Sequence, residues 1–171
     1  MLKKGDVIVY GTHGLCQVKD IMVPPFLVGS SEKLYYVMEP AIDCKGVLYV
    51  PVDGAMDKMR KPVSKKDALQ FLEELEEMQE IEVEVGKRAE AEISEVVKIN
   101  DTYEMMRLMK GLHIARNKRL QDGKKLASMN ERHLATVEKL LFTELAFSTK
   151  TTVDKVRDRV MDLLSTCLVA I

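Results

Sequence analysis

The chain has 171 residues, of which 46% are hydrophobic and 31% charged, with a formal net charge of −1. That apolar fraction excludes a disordered chain and suffices for one medium domain or two small ones. No apolar run reaches the roughly 18 residues of a membrane span, and none follows Met1-Leu2-Lys3-Lys4, so a cytoplasmic protein without a signal segment is expected.

The small net charge hides a segregation. Residues 1–66 carry 10 basic and 7 acidic side chains (+3), residues 67–84 none and 8 (−8), residues 85–139 12 and 8 (+4), and residues 140–171 4 and 4. A weakly basic region behind an acidic one is compatible with nucleic-acid contact, but it is too weak for a strongly electrostatic binder.

The first 55 or so residues read as strands. Val7-Ile8-Val9-Tyr10 is a short β-branched and aromatic run closed by Gly11 and Gly14, as a strand into a turn requires. Leu15 to Ile21 follows, with Cys16 and Val18 on one face by the two-residue alternation of a strand. Pro24-Pro25 and Gly29-Ser30-Ser31 mark a loop. Leu34 to Met38 forms the next strand, Asp43-Cys44-Lys45-Gly46 a tight turn, and Val47 to Val52 another strand. Pro51 cannot donate to a ladder and therefore belongs at an edge or a bulge. Four or five short strands at this spacing predict a small, bent barrel of the Tudor or SH3 type.

From Ser64 the hydrophobic period becomes helical. Ser64-Lys65-Lys66-Asp67 approaches a capping box, and Ala68, Leu69, Leu72, Leu75 and Met78 recur on one face of an acidic helix spanning 67–84. A second helix is expected over about 87–98, with Ala91, Ile93 (or Ser94) and Val97 inward. Asn100-Asp101-Thr102 caps a third, whose stripe is Met105, Leu108, Met109, Leu112 and Ala115, and Gly123 ends it. Ser128-Met129-Asn130-Glu131 opens a fourth, with Leu134, Val137, Leu141 and Leu145 inward. Thr151-Thr152-Val153-Asp154 opens a fifth, with Val153, Val156, Val160, Leu163 and Cys167. Each helix is amphipathic and needs a partner surface, so the expected fold is α+β: a Tudor/SH3-like barrel over 1–60, then a compact all-α domain of about five helices over 61–171.

Catalytic chemistry finds little support. His13 and Cys16 lie three residues apart, but a Cys–His nucleophile needs mutual hydrogen-bond reach, an orienting group and a pocket. A structural turn, with the imidazole bonded to the backbone, is the simpler reading. His113 and His133 fall within helices and are expected at the surface or its boundary. Cys16, Cys44 and Cys167 form no Cys-x-x-Cys pair, which favours reduced thiols over a zinc knuckle or a disulfide framework. No phosphate-binding glycine loop or metalloprotease motif is present, and the glutamates of 73–84 read as a solvated helix face. The expectation is no enzyme, no catalytic residues, no metal, no cofactor and no small-molecule substrate. The basic positions Lys87-Arg88, Arg116-Asn117-Lys118-Arg119, Lys124-Lys125 and Arg132 could clamp phosphates if the bundle gathers them.

The stretch GDVIVYGTHGLCQVKDI resembles the start of the CarD/CdnL family of bacterial transcription regulators, whose domain begins Gly-Asp-x-Val-Val-Tyr-Pro-x-His-Gly. The strand ending Val50-Pro51-Val52 fits as well. So do Lys124-Lys125-Leu126-Ala127-Ser128 and Leu140-Leu141-Phe142-Thr143-Glu144-Leu145-Ala146, the latter close to the family's L-x-x-E-L-A. The resemblance implies an amino-terminal Tudor-like domain that docks on the β subunit of RNA polymerase, through Pro24, Tyr49, Val50 and Pro51. It implies a helical domain that contacts promoter DNA at the upstream edge of the bubble, in complex with the primary sigma factor, through Val85, Gly86, Lys87, Arg88, Lys124, Lys125 and Arg132. The outcome would be a stabilised open complex. Three positions depart from the pattern. Gly11 replaces the turn proline. Val85 falls where many members carry a tryptophan wedge, and this chain has no tryptophan. Pro24 and Tyr49 stand where some relatives place polymerase-contacting arginines. The alternative is a polymerase-bound adaptor whose helical domain binds another protein and not DNA.

Overall fold

A computed structural model of the protein describes residues 1–27, 33–41, 46–83 and 87–169. It divides into two compact units, Met1–Pro62 and Val63–Ile171.

Unit 1 is a curled five-stranded antiparallel sheet, a half-barrel with strand order β4-β3-β2-β1-β5. The strands are β1 (Val7–Tyr10), β2 (Gly14–Met22), β3 (Tyr35–Pro40), β4 (Leu48–Pro51) and a short β5 (Met59–Arg60). Period-two alternation puts Ile8, Cys16, Val18, Tyr36, Met38 and Val50 into one buried cluster. The long β2 serves two partners. Its residues 14–17 pair with β1 (Ile8↔Cys16) and 16–22 with β3 (Ile21↔Tyr36), and the register against β3 shifts between Val18 and Asp20. Such a bulge bends a strand, which allows one strand to sit in both walls of a curled sheet. The loop at 28–32 and the expected turn at Asp43-Cys44-Lys45 lie outside the described residues.

The corner between β1 and β2 explains one departure. Gly11 opens a 3-10 turn with φ +43°. Proline is locked near −65°, so this corner follows a path that proline cannot take. His13 also differs from expectation. Its ring is exposed and stacks on Tyr10, centroids 5.5 Å apart and planes within 8°.

Unit 2 contains α1 (Lys65–Glu73), α2 (Lys87–Ile99), α3 (Thr102–Gln121), α4 (Ser128–Thr149) and α5 (Val153–Val169). The capping box forms: Ser64 Oγ accepts from the Asp67 N–H at 3.1 Å and donates to Asp67 Oδ2 at 2.7 Å. The acidic helix expected over 67–84 does not. It stops at Glu73, and turns follow. Glu73, Glu74, Glu76 and Glu77 crowd this end, where the helix dipole disfavours negative charge. Leu75 and Met78 still reach the core. The Lys110 ammonium, itself buried, donates to the carbonyls of Leu75, Glu76 and Met78 at 3.0, 2.7 and 2.7 Å. A cation from another helix thus closes the turn that acidic residues leave open.

Helix α3 runs through the middle of this unit, against α2, α4 and α5. Residues 108–114 are therefore buried on every face, including Lys110, Gly111 and His113, and Met105 and Met106 before them are buried too. The stripe read from sequence captures only one side of it. The segment 79–83 lies along α3. The Ile81 N–H donates to the Arg107 carbonyl at 3.2 Å, and Arg107 Nε donates to the Gln79 carbonyl at 2.8 Å. Gly111 permits this approach, because a Cβ there would overlap the Ile81 carbonyl oxygen. His113 is only 7% exposed, against expectation, and its Nε2 meets Glu138 Oε1 at 2.8 Å. Glu144, the acid of the L-x-x-E-L-A segment, is buried as well. It accepts from the Val63 N–H at 3.0 Å and from Thr102 Oγ1 at 3.2 Å, tying α4 to the start of the unit and to the first turn of α3.

Candidate functional site

Two exposed arrangements stand out, one in each unit. In unit 1 the feature is the outer edge of β4. The Val52 N–H donates to the Leu34 carbonyl at 3.0 Å. In an antiparallel ladder the bonded pairs alternate, so Val50 (opposite Tyr36) bonds to β3, while Tyr49 and Pro51 (opposite Val37 and Tyr35) direct their backbone groups away from it. The outward groups are then the N–H and C=O of Tyr49 and the C=O of Pro51. Pro51, which lacks an N–H, occupies an outward position and costs the ladder nothing. Above this edge the Tyr49 ring, 40% exposed, meets Phe26, 66% exposed, edge-on with centroids 5.2 Å apart. Pro24 starts the 3-10 turn that holds Phe26, its carbonyl accepting from the Leu27 N–H at 2.9 Å.

Pro24 and Val50 are buried, and their backbone groups bond within the unit, Val50 to β3 and the Pro24 carbonyl to the Leu27 N–H, so these two expected contacts present little to a partner. Tyr49 and Pro51 are exposed on the edge. Phe26 was missed from the sequence, where it stands in a proline-flanked loop without periodicity.

In unit 2 the feature is a basic corner where α3 ends and α4 begins. Gly123, at φ +70°, reverses the chain. Its N–H donates to the Leu120 carbonyl at 3.0 Å, and that of Lys124 to the Arg119 carbonyl at 2.8 Å. Residues 116–132 hold Arg116, Lys118, Arg119, Lys124, Lys125 and Arg132 against Asp122 and Glu131, six minus two, or +4. Arg116 Nε lies 3.4 Å from Glu131 Oε1 and engages one of the two acids. Lys124, Lys125 and Arg132 are exposed. Helix α2 opens with Lys87 and Arg88, whereas Val85 and Gly86 lie outside the described residues.

His13 and Cys16 do not form a reactive pair. Cys16 is fully buried in the sheet core, where its thiol donates to the Gly14 carbonyl at 3.5 Å, while His13 is exposed on Tyr10. Burial pushes the Cys16 thiol up to about 11, so the nucleophilic thiolate is scarce at neutral pH. Among the described residues no group of three or more His, Cys, Asp or Glu is placed to hold a metal ion, and no helix is long and apolar enough to cross a membrane.

Residues 2–63 match the family described as CarD-like/TRCF RID domain. No curated protein matches the chain.

Proposed function

We propose that this chain, whose residues 2–63 form a CarD-like/TRCF domain that interacts with the β subunit of RNA polymerase and which is thereby a polymerase-binding transcription factor, also contacts promoter DNA and stabilises the open complex. Unit 1 docks by strand addition. The free edge of β4 pairs with a strand of the polymerase, and Phe26 and Tyr49 supply the apolar contact beside it. This edge carries no arginine, so backbone pairing contributes the register and the aromatic pair most of the buried area.

Unit 2 then meets the DNA at the upstream edge of the bubble. The observation that carries this half is the basic corner, with Lys124, Lys125 and Arg132 exposed together across one helix-to-helix turn. Phosphate contacts of this kind position a protein without reading sequence. Lys87 and Arg88, at the start of α2, add to them. Val85 takes the place of the wedge, offering a smaller apolar surface to an unstacked base step than an aromatic residue would.

Salt dependence tests the DNA half. Each phosphate neutralised contributes about −0.9 to the slope of log affinity against log salt. With a promoter fork fragment and the full chain, five such contacts predict a slope of about −4.5, and Lys124→Ala/Lys125→Ala/Arg132→Ala brings it to about −1.8. Binding whose affinity is indifferent to salt, or unchanged in the triple variant, would favour the adaptor reading.

A further inference from the structure

A recess of about 180 Å³ opens beside the basic corner. Its most buried lining residues are Leu126 and Asn130, at 8% and 5% exposure. Val83 and Ala115 are half-buried in its walls, and Lys118 and Arg119 reach it from the last turns of α3. The space has a local cause. Ile114 is buried in the core, and Ala115 after it puts only a methyl where a larger side chain would close the gap. An apolar cavity of about 150 Å³ accepts a benzene ring, so this recess is the size of a single six-membered ring with its substituents.

The lining suits a planar ring with a polar edge. Val83, Ala115 and Leu126 are apolar and favour the removal of a ring face from water. Arg119 is tied down by its Nε, which donates to the Lys125 carbonyl at 3.3 Å. A guanidinium held in this way offers a plane on which a base can stack. Asn130 contributes a side-chain amide, which carries both a donor and an acceptor, as the Watson–Crick edge of a base does. Lys124 and Lys125 directly precede Leu126, Arg132 follows Asn130 by two residues, and all three cations are exposed. Phosphates resting on them bring the base between those phosphates to the recess.

We infer that this recess receives one unpaired base of a DNA strand, a pyrimidine by its size, while the flanking phosphates sit on Lys124, Lys125 and Arg132. Base capture rests on the DNA-contacting reading of the basic corner and adds to it a contact that only melted DNA can make. In a duplex the bases are stacked and paired. At the edge of a bubble a base can turn out of the stack, at a cost that is least where pairing is already lost. Phosphate contacts alone hold duplex and melted DNA alike. A ligand shifts an equilibrium only by its differential affinity for the two states, so the recess supplies the preference for melted DNA that stabilising an open complex requires.

The test is fluorescence anisotropy with the full chain and promoter fork fragments in which each unpaired nucleotide in turn is made abasic. One abasic position is expected to weaken binding by about tenfold, the size of effect that one stacked base provides, and a purine there should bind nearly as weakly. Ala115→Leu fills the recess without removing a cation, and leucine suits a helix almost as well as alanine. In that variant the intact fork should bind as weakly as the abasic one, the abasic substitution should cost nothing further, and the salt slope should be unchanged. The abasic series uses the unaltered protein, so it decides the matter even if Ala115→Leu misfolds. Thymidine monophosphate, a base without a strand, should not displace the fork at millimolar concentration. Salt-dependent fork binding indifferent to every abasic position would overturn the inference and leave the phosphate contacts standing. So would purines and pyrimidines bound alike, or an abasic penalty undiminished in folded Ala115→Leu. Displacement by the free nucleotide would overturn it in favour of a nucleotide site. Fork binding indifferent to salt would overturn both base capture and the DNA-contacting reading beneath it.

Discussion

Tyr49→Pro is expected to weaken binding to the polymerase β subunit by about tenfold more than Tyr49→Ala does. Both variants lose the ring that meets Phe26, and with it an edge-on contact worth about 0.5–1.5 kcal/mol beyond its buried area. Only proline also deletes the N–H. A partner carbonyl left without its donor in a closed interface costs about 1–3 kcal/mol, and 1.4 kcal/mol is a factor of ten. The substitution is unusually clean. Tyr49 opposes Val37 at a position whose N–H points away from β3, so no bond inside the sheet is lost, and the next residue but one on the same edge is already Pro51. Surface plasmon resonance on the immobilised β subunit would read both variants. Equal affinities for the two would show that strand addition at β4 is not how the domain docks.

Gly111→Ala is expected to destabilise the helical unit by about 2–3 kcal/mol, lowering its thermal midpoint by roughly 10 °C. Two effects oppose each other. In an exposed helix interior, exchanging glycine for alanine gains about 1 kcal/mol. Here the new methyl meets the Ile81 carbonyl oxygen, which belongs to backbone and is held by the Ile81–Arg107 and Arg107–Gln79 hydrogen bonds. It cannot rotate aside as a side chain would. The segment 79–83 must lift from α3, stretching those bonds and disturbing the turn that Lys110 closes. Overpacking therefore outweighs propensity. Thermal unfolding followed by far-UV circular dichroism measures the effect, and a midpoint unchanged or raised would mean that the segment does not press on α3 at Gly111.

Tyr49 was marked in the sequence as a docking residue, whereas nothing there marked Gly111. Most strand positions were legible because one face of a curled sheet is buried and the other wet, so Val18, Tyr36, Met38 and Val50 alternate with exposed or half-exposed neighbours, while Ile8 and Cys16 sit beside the buried Val9 and Leu15. That same alternation makes Tyr49 conspicuous as a surface aromatic in β4. It says nothing of Phe26, whose place depends on the 3-10 turn after Pro24. The helices were legible where one stripe is apolar, as with Leu134, Val137, Leu141 and Leu145 in α4.

Periodicity failed in two ways. The stripe continued through Leu75 and Met78, which are buried although the helix ends at Glu73. Burial after a turn mimics helical spacing, and the electrostatic cost of four glutamates at a helix end outweighs it. In α3 the central residues are buried all round, so polar Lys110 and His113 read as surface positions until their tertiary partners, the 75–78 carbonyls and Glu138, are known.

The lifetime of promoter open complexes tests most directly whether the docking edge on one unit and the basic corner on the other act together. With purified RNA polymerase and its primary sigma factor, the full chain should lengthen the lifetime. Val85→Trp should lengthen it further by enlarging the apolar contact at the bubble edge, and Lys124→Ala/Lys125→Ala/Arg132→Ala should remove the gain while β-subunit binding stays intact. A lifetime the protein does not change, measured at concentrations where it saturates the β subunit, would contradict the DNA-contacting role and leave a polymerase-bound adaptor.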